Sequence, residues 1–176
     1  SMTQNGTSIS CVVKANAYGL GMKQVATALY QAGCRDFCVA YLEEGTKLRE
    51  YVGESNIYVF NGIQKDGLEE AHRKNLIPVL NDLYQVELWN SYASKINKTL
   101  PAMVHVDTGM GRLGLTESNV YRVSDNQDFT SFLDIKYIMS HPACADDPAH
   151  PANIQQLNML KQYGSLFPNI KLSFAN

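Results

Sequence analysis

Val12-Val13-Lys14-Ala15-Asn16-Ala17-Tyr18-Gly19-Leu20-Gly21 reads as a short apolar strand that delivers one lysine to its C-terminal end. A tyrosine and a glycine turn follow and open a helix. A lysine at the mouth of a buried strand loses charge by desolvation, which makes its amine a nucleophile toward an aldehyde and a base afterwards. The plain alternative is a solvated charge that closes the strand.

The same strand-turn-helix unit recurs outward from there. Strands are predicted over residues 8–13, 37–41, 57–60, 77–80, 102–106, 135–139 and 170–174, each a short apolar or β-branched run. Between them, apolar residues return at helical spacing. Val25, Ala28, Leu29 and Ala32 do so until Gly33 stops the helix; Leu48, Tyr51 and Val52 do so behind Glu43 and Glu44 in a first turn, with Gly53 at the end. A short helix is predicted over residues 67–74 and another near 117–123. Asp82 caps a helix carrying Leu83, Val86, Leu88 and Trp89, and Ile154, Leu157 and Leu160 form the inward face of a last helix running to about residue 166.

Regular β/α alternation with short loops implies a parallel sheet covered by helices, with functional groups at the C-terminal ends of the strands. A closed barrel and an open doubly wound sheet both satisfy it. Lys14, Arg112, His141 and Asn176 each follow a different strand, from the first to the last. A barrel brings first and last strands together, so an α/β, TIM-type (β/α)8 barrel is expected. A complete one takes about 250 residues; with about seven parallel strands this one is incomplete. Residues 1–7, with Ser1 ahead of Met2, read as a tag remnant and a loosely held N-terminus, and residues 8–176 as the partial barrel domain.

The 176 residues, 45% of them apolar, suffice for one sizeable core. A formal charge of −2 gives no electrostatic case for nucleic acid or an anionic membrane. No apolar run approaches the roughly 18 residues of a membrane span, and no signal-peptide core follows Met2; a cytoplasmic protein is expected. Cys11, Cys34, Cys38 and Cys144 show no Cys-x-x-Cys pair, so free, mostly buried thiols are expected.

Three further stretches carry chemistry. In Val106-Asp107-Thr108-Gly109-Met110-Gly111-Arg112-Leu113-Gly114, glycines permit close-approach backbone and return an arginine toward a strand mouth. A fixed guanidinium there suits a phenolate oxygen and a carboxylate at once. In Ser140-His141-Pro142-Ala143-Cys144-Ala145-Asp146 a histidine follows a strand, where a hydrogen-bonded structural role is the plain reading. His141, Asp146, Asp147 and His150 match neither a zinc-protease helix nor a calcium loop, and no metal is expected. The chain ends in Ser173-Phe174-Ala175-Asn176.

Together these stretches closely resemble the N-terminal barrel domain of the alanine racemase family, the fold-type III enzymes that use pyridoxal 5′-phosphate. The resemblance implies that Lys14 carries the cofactor in Schiff-base linkage and serves as a base on one face of the amino acid substrate. It implies that Tyr18 contacts the cofactor phosphate, that Arg112 meets the phenolate oxygen and the substrate carboxylate, and that His141 lies beside the cofactor ring. Asn176 is implied to neighbour the phosphate, one residue short of a family serine. Many family members carry a lysine, sometimes carbamylated, where this chain has His105, which cannot form that carbamate.

The implied activity is racemisation of L-alanine to D-alanine for peptidoglycan, by a homodimer whose C-terminal β-domain, absent here, supplies a second base. The chain by itself is accordingly expected to be inactive. A serine racemase domain and a non-catalytic pyridoxal-phosphate-binding barrel are the alternatives, separable by substrate assays on the intact protein.

Overall fold

The computed structural model describes residues 7–174. Seven strands, β1 (Ser10–Val12), β2 (Asp36–Val39), β3 (Asn56–Val59), β4 (Leu76–Leu80), β5 (Leu100–His105), β6 (Leu133–Ser140) and β7 (Lys171–Phe174), follow one another in chain order. The chain divides into two compact units.

The first unit takes the chain up to Asn61 together with Glu69–Ile77. In it β1, β2 and β3 pair in parallel, Val12 opposite Cys38 and Cys38 opposite Tyr58. After β1 comes a one-turn element, α1 (Lys14–Tyr18), then α2 (Met22–Gln31) and, after β2, α3 (Leu42–Val52). Phe37, Val39, Ile57, Leu48 and Val52 are fully buried, the alternation of strand and the i, i+4 spacing of helix meeting in one core. Gly45, inside α3, is where Leu76 and Ile57 press closest; an added Cβ would lie 3.1 Å from Leu76 Cδ1. Arg49 closes the unit from outside: its guanidinium donates to the carbonyls of Gly53, Ser55, Lys74 and Asn75.

The second unit holds residues 62–68 and 78–176, within which β4, β5, β6 and β7 pair in parallel. Ala102 and Met103 flank a register shift against β6, where Ile135 is followed by Tyr137. Helix α5 (Leu83–Lys95) starts as its sequence demands, Asp82 Oδ1 accepting the Gln85 N–H at 2.8 Å. Its fully buried Trp89 donates Nε1–H to the Pro101 carbonyl. Helices α6 (Glu117–Asp125) and α7 (Pro151–Ser165) cover β5 to β7 through Val120, Val123, Leu160 and Tyr163, packed with Val104, Val106, Leu115 and Ile138. Helix α4 (Leu68–Arg73) precedes β4.

Three details differ from the reading of the sequence. Ile154 is exposed, and Gln156 turns inward in its place because the loops after β5 and β6 offer it hydrogen bonds that an isoleucine could not make. Of the four free thiols only Cys38 is buried, the others being half-buried, since β1 lies at the sheet's edge and Cys144 in a loop. Burial still pushes Cys38 up to about 12 and Cys11 to about 11, the latter helped by Cys34, which keeps both protonated. Finally β1 is shorter than residues 8–13, because Val13 already leaves the extended region, with φ −126° and ψ 21°.

Candidate active site

Lys14 opens α1, directly after β1, and is half-buried. The next four residues, Ala15, Asn16, Ala17 and Tyr18, all lie at positive φ, between 49° and 54°. That is one turn of left-handed helix built from residues with side chains, which costs about 1–2 kcal/mol per residue. Such strain persists where its surroundings over-determine it, and here they do. Ala17 N–H bonds Val13 O at 3.0 Å, Gly19 N–H bonds Ala15 O at 3.0 Å and Gly21 N–H bonds Asn16 O at 2.9 Å. Asn16 Oδ1 accepts the Met22 N–H at 2.8 Å, tying the turn to the start of α2.

The remaining restraint is Glu44, on the first turn of α3. One carboxylate oxygen accepts the Ala15 N–H at 2.6 Å; the other accepts the Ala40 and Tyr41 N–H groups at 2.8 and 3.2 Å. One side chain thus joins the residue after Lys14 to the end of β2. Nothing in the sequence distinguishes it from an ordinary first-turn glutamate, whose negative charge suits a helix N-terminus. Tyr18 is 64% exposed, and the Lys14 ammonium lies 5.9 Å from its ring centroid. The structure therefore brings together the amine and phenol expected of this unit.

In the second unit, the loop after β5 closes on itself. Leu115 N–H bonds His105 O at 2.8 Å, and Asp107 N–H bonds Leu115 O at 3.0 Å. Asp107 Oδ1 accepts the N–H groups of Gly109, Met110 and Gly111, so an acidic side chain fills the loop's interior. Gly114 must be glycine: at φ +112° its Cβ would fall 2.6 Å from Asp107 N and 2.8 Å from the Val106 carbonyl carbon. This closed loop presents Arg112, which is exposed.

His141 follows β6 directly and is half-buried. Gln156, 3% exposed on α7, binds its loop to the previous one: Oε1 accepts the Ala143 N–H at 2.9 Å, and Nε2 donates to Thr108 Oγ1 and the His141 carbonyl. Thr108 and Ser140 complete that network, their hydroxyls 2.7 Å apart. His105, at the end of β5, is 7% exposed, with Nδ1 2.8 Å from Asn81 Oδ1. Burial above all, then the nearby His141, lowers its pKa to about 4; the Asp107 carboxylate pulls it up by more than the Arg112 guanidinium pushes it down. Arg112 and His141 are each near enough to act on the His105 imidazole electrostatically. Asn176 lies outside the described residues. Among the candidate metal ligands, His150 instead caps α7, its Nδ1 accepting the Ala152 N–H.

Comparison with known proteins gives the family of the chain. Residues 1–176 match the alanine racemase N-terminal domain throughout. The chain belongs to the alanine racemase family. It is 41% identical to alanine racemase of Rickettsia peacockii over 169 residues, 96% of this chain and 48% of that protein. It is 42% identical to alanine racemase of Brucella suis over 171 residues, 97% of this chain and 43% of the relative. The chain therefore spans about half the length of the curated alanine racemases it matches. The crystal structure of alanine racemase from Bartonella henselae with covalently bound pyridoxal phosphate superposes with a TM-score of 0.93 at 40% identity, covering 98% of this chain and 50% of that one. The fold is accordingly the incomplete TIM-type barrel expected, with seven parallel strands, and not an open doubly wound sheet.

Proposed function

We propose that the protein of which this chain forms part is a pyridoxal 5′-phosphate-dependent racemase that interconverts L- and D-alanine. The observation that carries this reading is Lys14 itself. It stands at the start of a strained, hydrogen-bonded turn at the mouth of β1, in a chain 40% identical to an alanine racemase solved with covalent pyridoxal phosphate. The donor set suits that cofactor: an amine for its aldehyde, the exposed Tyr18 hydroxyl for its phosphate, the Arg112 guanidinium for its phenolate oxygen, and the His141 imidazole beside its ring. Asn176 is a further candidate neighbour of the phosphate.

When bound, the cofactor supplies an electron sink for the carbanion at the substrate Cα. Lys14 binds the cofactor and then, as a free amine, takes or returns the Cα proton on one face. Arg112 binds the amino acid carboxylate and fixes which bond faces the base. Glu44 keeps the turn after Lys14 in place by holding the Ala15 amide. A base for the opposite face comes from elsewhere in the intact protein, in a homodimer, so this chain alone does not racemise.

We further place the reaction in the cytoplasm, as a source of D-alanine for the cell wall. No helix among the described residues is long and apolar enough to cross a membrane. The test is turnover by the purified intact protein with cofactor. L-Alanine should be racemised, and Lys14→Ala should abolish it; preference for serine, or no racemisation of any amino acid, would replace this reading.

A further inference from the structure

Three of the four cysteines lie in the first unit, and two of them meet at the edge of its sheet. Val13 N–H donates to the Cys38 carbonyl at 2.9 Å, with Ser10 opposite Asp36 and Cys11 opposite Phe37. The even spacing of a parallel ladder gives the preceding rung to Cys11 N–H and the Asp36 carbonyl. That same carbonyl accepts the Cys34 Sγ–H at 3.2 Å. The Cys11 backbone and the Cys34 sulfur thus converge on one oxygen from two different elements, and the two thiols are in hydrogen-bond contact.

Cys34 is fixed where it stands. Its N–H bonds the Leu29 carbonyl at 3.0 Å, at the end of α2, and Arg35 Nη1 donates to the Cys34 and Tyr30 carbonyls at 2.8 Å. The Arg35 guanidinium also lies over the Tyr30 ring, 4.2 Å from its centroid. Cys11 and Cys34 are both half-buried, whereas Cys38 is buried. Cys38 pairs with Val12, one residue along β1, so strand alternation turns it to the face away from Cys11. The fold therefore sets one particular pair of thiols together.

We propose that Cys11 and Cys34 are a reversible thiol–disulfide pair, a modification site on β1 that a peroxide oxidises. In the first step Cys34 gives up its proton and its sulfur attacks one peroxide oxygen. The O–O bond breaks, leaving a sulfenic acid, and the proton departs with the released hydroxide as water. In the second step the Cys11 sulfur attacks the sulfenic sulfur, the S–O bond breaks, and the Cys11 proton and hydroxide form a second water. Two thiols lose two electrons, and the peroxide gains them. Burial, and then Cys34 itself, push the Cys11 thiol up to about 11, which suits it to the resolving step and not to the first attack. The new bond closes a ring that contains Lys14, its left-handed turn and α2, so oxidation ties the strand carrying that lysine to the turn before β2. None of this depends on the racemase reading.

The test treats the intact protein with hydrogen peroxide, alkylates the remaining thiols, and maps the digest by mass spectrometry. A peptide pair joined through Cys11 and Cys34, two hydrogens lighter than its reduced parts and released by dithiothreitol, is expected. Cys38 should be alkylated only after unfolding. The oxidised protein should have a higher urea midpoint than the reduced one, because the ring restricts the unfolded chain. Cys11→Ser should halt the reaction at a Cys34 sulfenic acid that dimedone traps, and Cys34→Ser should leave Cys11 a free thiol. The map itself is read on the unsubstituted chain and needs neither variant to fold. A sulfinic acid at Cys34 with Cys11 still free, a bond to Cys38 or Cys144 instead, or both thiols unchanged would overturn the proposal, and each is read without an assay of turnover.

Discussion

The carboxylate of Glu44 lies 2.6 Å from the backbone nitrogen of Ala15, the residue that follows Lys14. A charged acceptor therefore holds the one turn of left-handed helix that presents the candidate Schiff-base lysine. The same carboxylate reaches Ala40 and Tyr41, so the turn is referenced to the end of β2 and not merely to its own chain.

Glu44→Ala leaves three backbone N–H groups without this acceptor. It should destabilise the protein by about 2 kcal/mol, read as a lower midpoint in urea. Because the strained turn loses its external restraint, amide exchange at Ala15 to Tyr18 should accelerate more than exchange in α7. Uniform acceleration across both would show that Glu44 has no local role.

Gly114→Ala tests the loop that carries Arg112. Its Cβ would meet backbone at 2.6 Å, whereas at Gly111, also at positive φ, nothing lies within 4 Å. Gly111→Ala should cost about 1 kcal/mol for backbone conformation alone, and Gly114→Ala distinctly more, with loss of protection at the Leu115 and Asp107 amides. Similar costs at both sites would mean that the loop adapts freely.

The alternation of strand and helix was legible because the strands are mostly short apolar or β-branched runs separated by stretches whose apolar residues recur at helical spacing. Lys14, Arg112 and His141 were legible because they follow strands, where a parallel sheet puts its chemistry. The left-handed turn was not: Ala15, Ala17 and Tyr18 carry no signal for positive φ, which their hydrogen bonds impose instead. Nor was Gln156. A polar residue on an amphipathic helix reads as solvent-facing, and only the loops after β5 and β6 make its burial favourable.

Gln156→Leu preserves volume but removes the acceptor of the Ala143 N–H and one donor to Thr108 Oγ1 and the His141 carbonyl. It should cost about 1–3 kcal/mol. Gln156→Glu keeps the acceptor for Ala143 but turns a carboxylate oxygen, which cannot donate, toward the His141 carbonyl and buries a charge, so it should cost more. Calorimetric melting of the two variants ranks them, and the reverse order would remove Gln156 from its bridging role.

His105 makes a pH prediction. Its pKa in the folded state is lowered from 6.5 to about 4. Above pH 6.5 both folded and unfolded chains carry it neutral and it has no effect. As pH falls toward 4 the unfolded chain takes up the proton first, so stability declines by about 3 kcal/mol and then levels off. His105→Leu lacks this decline. Its stability relative to the parent should therefore improve steadily as pH drops from 6.5 to 4, and a gap independent of pH would show that His105 titrates normally.

Reductive trapping tests the central claim most directly. The intact protein, incubated with pyridoxal 5′-phosphate and treated with borohydride, should yield after digestion one pyridoxyl-modified peptide, carrying the label on Lys14. A label on another lysine, or no label in a preparation that racemises alanine, would contradict the account.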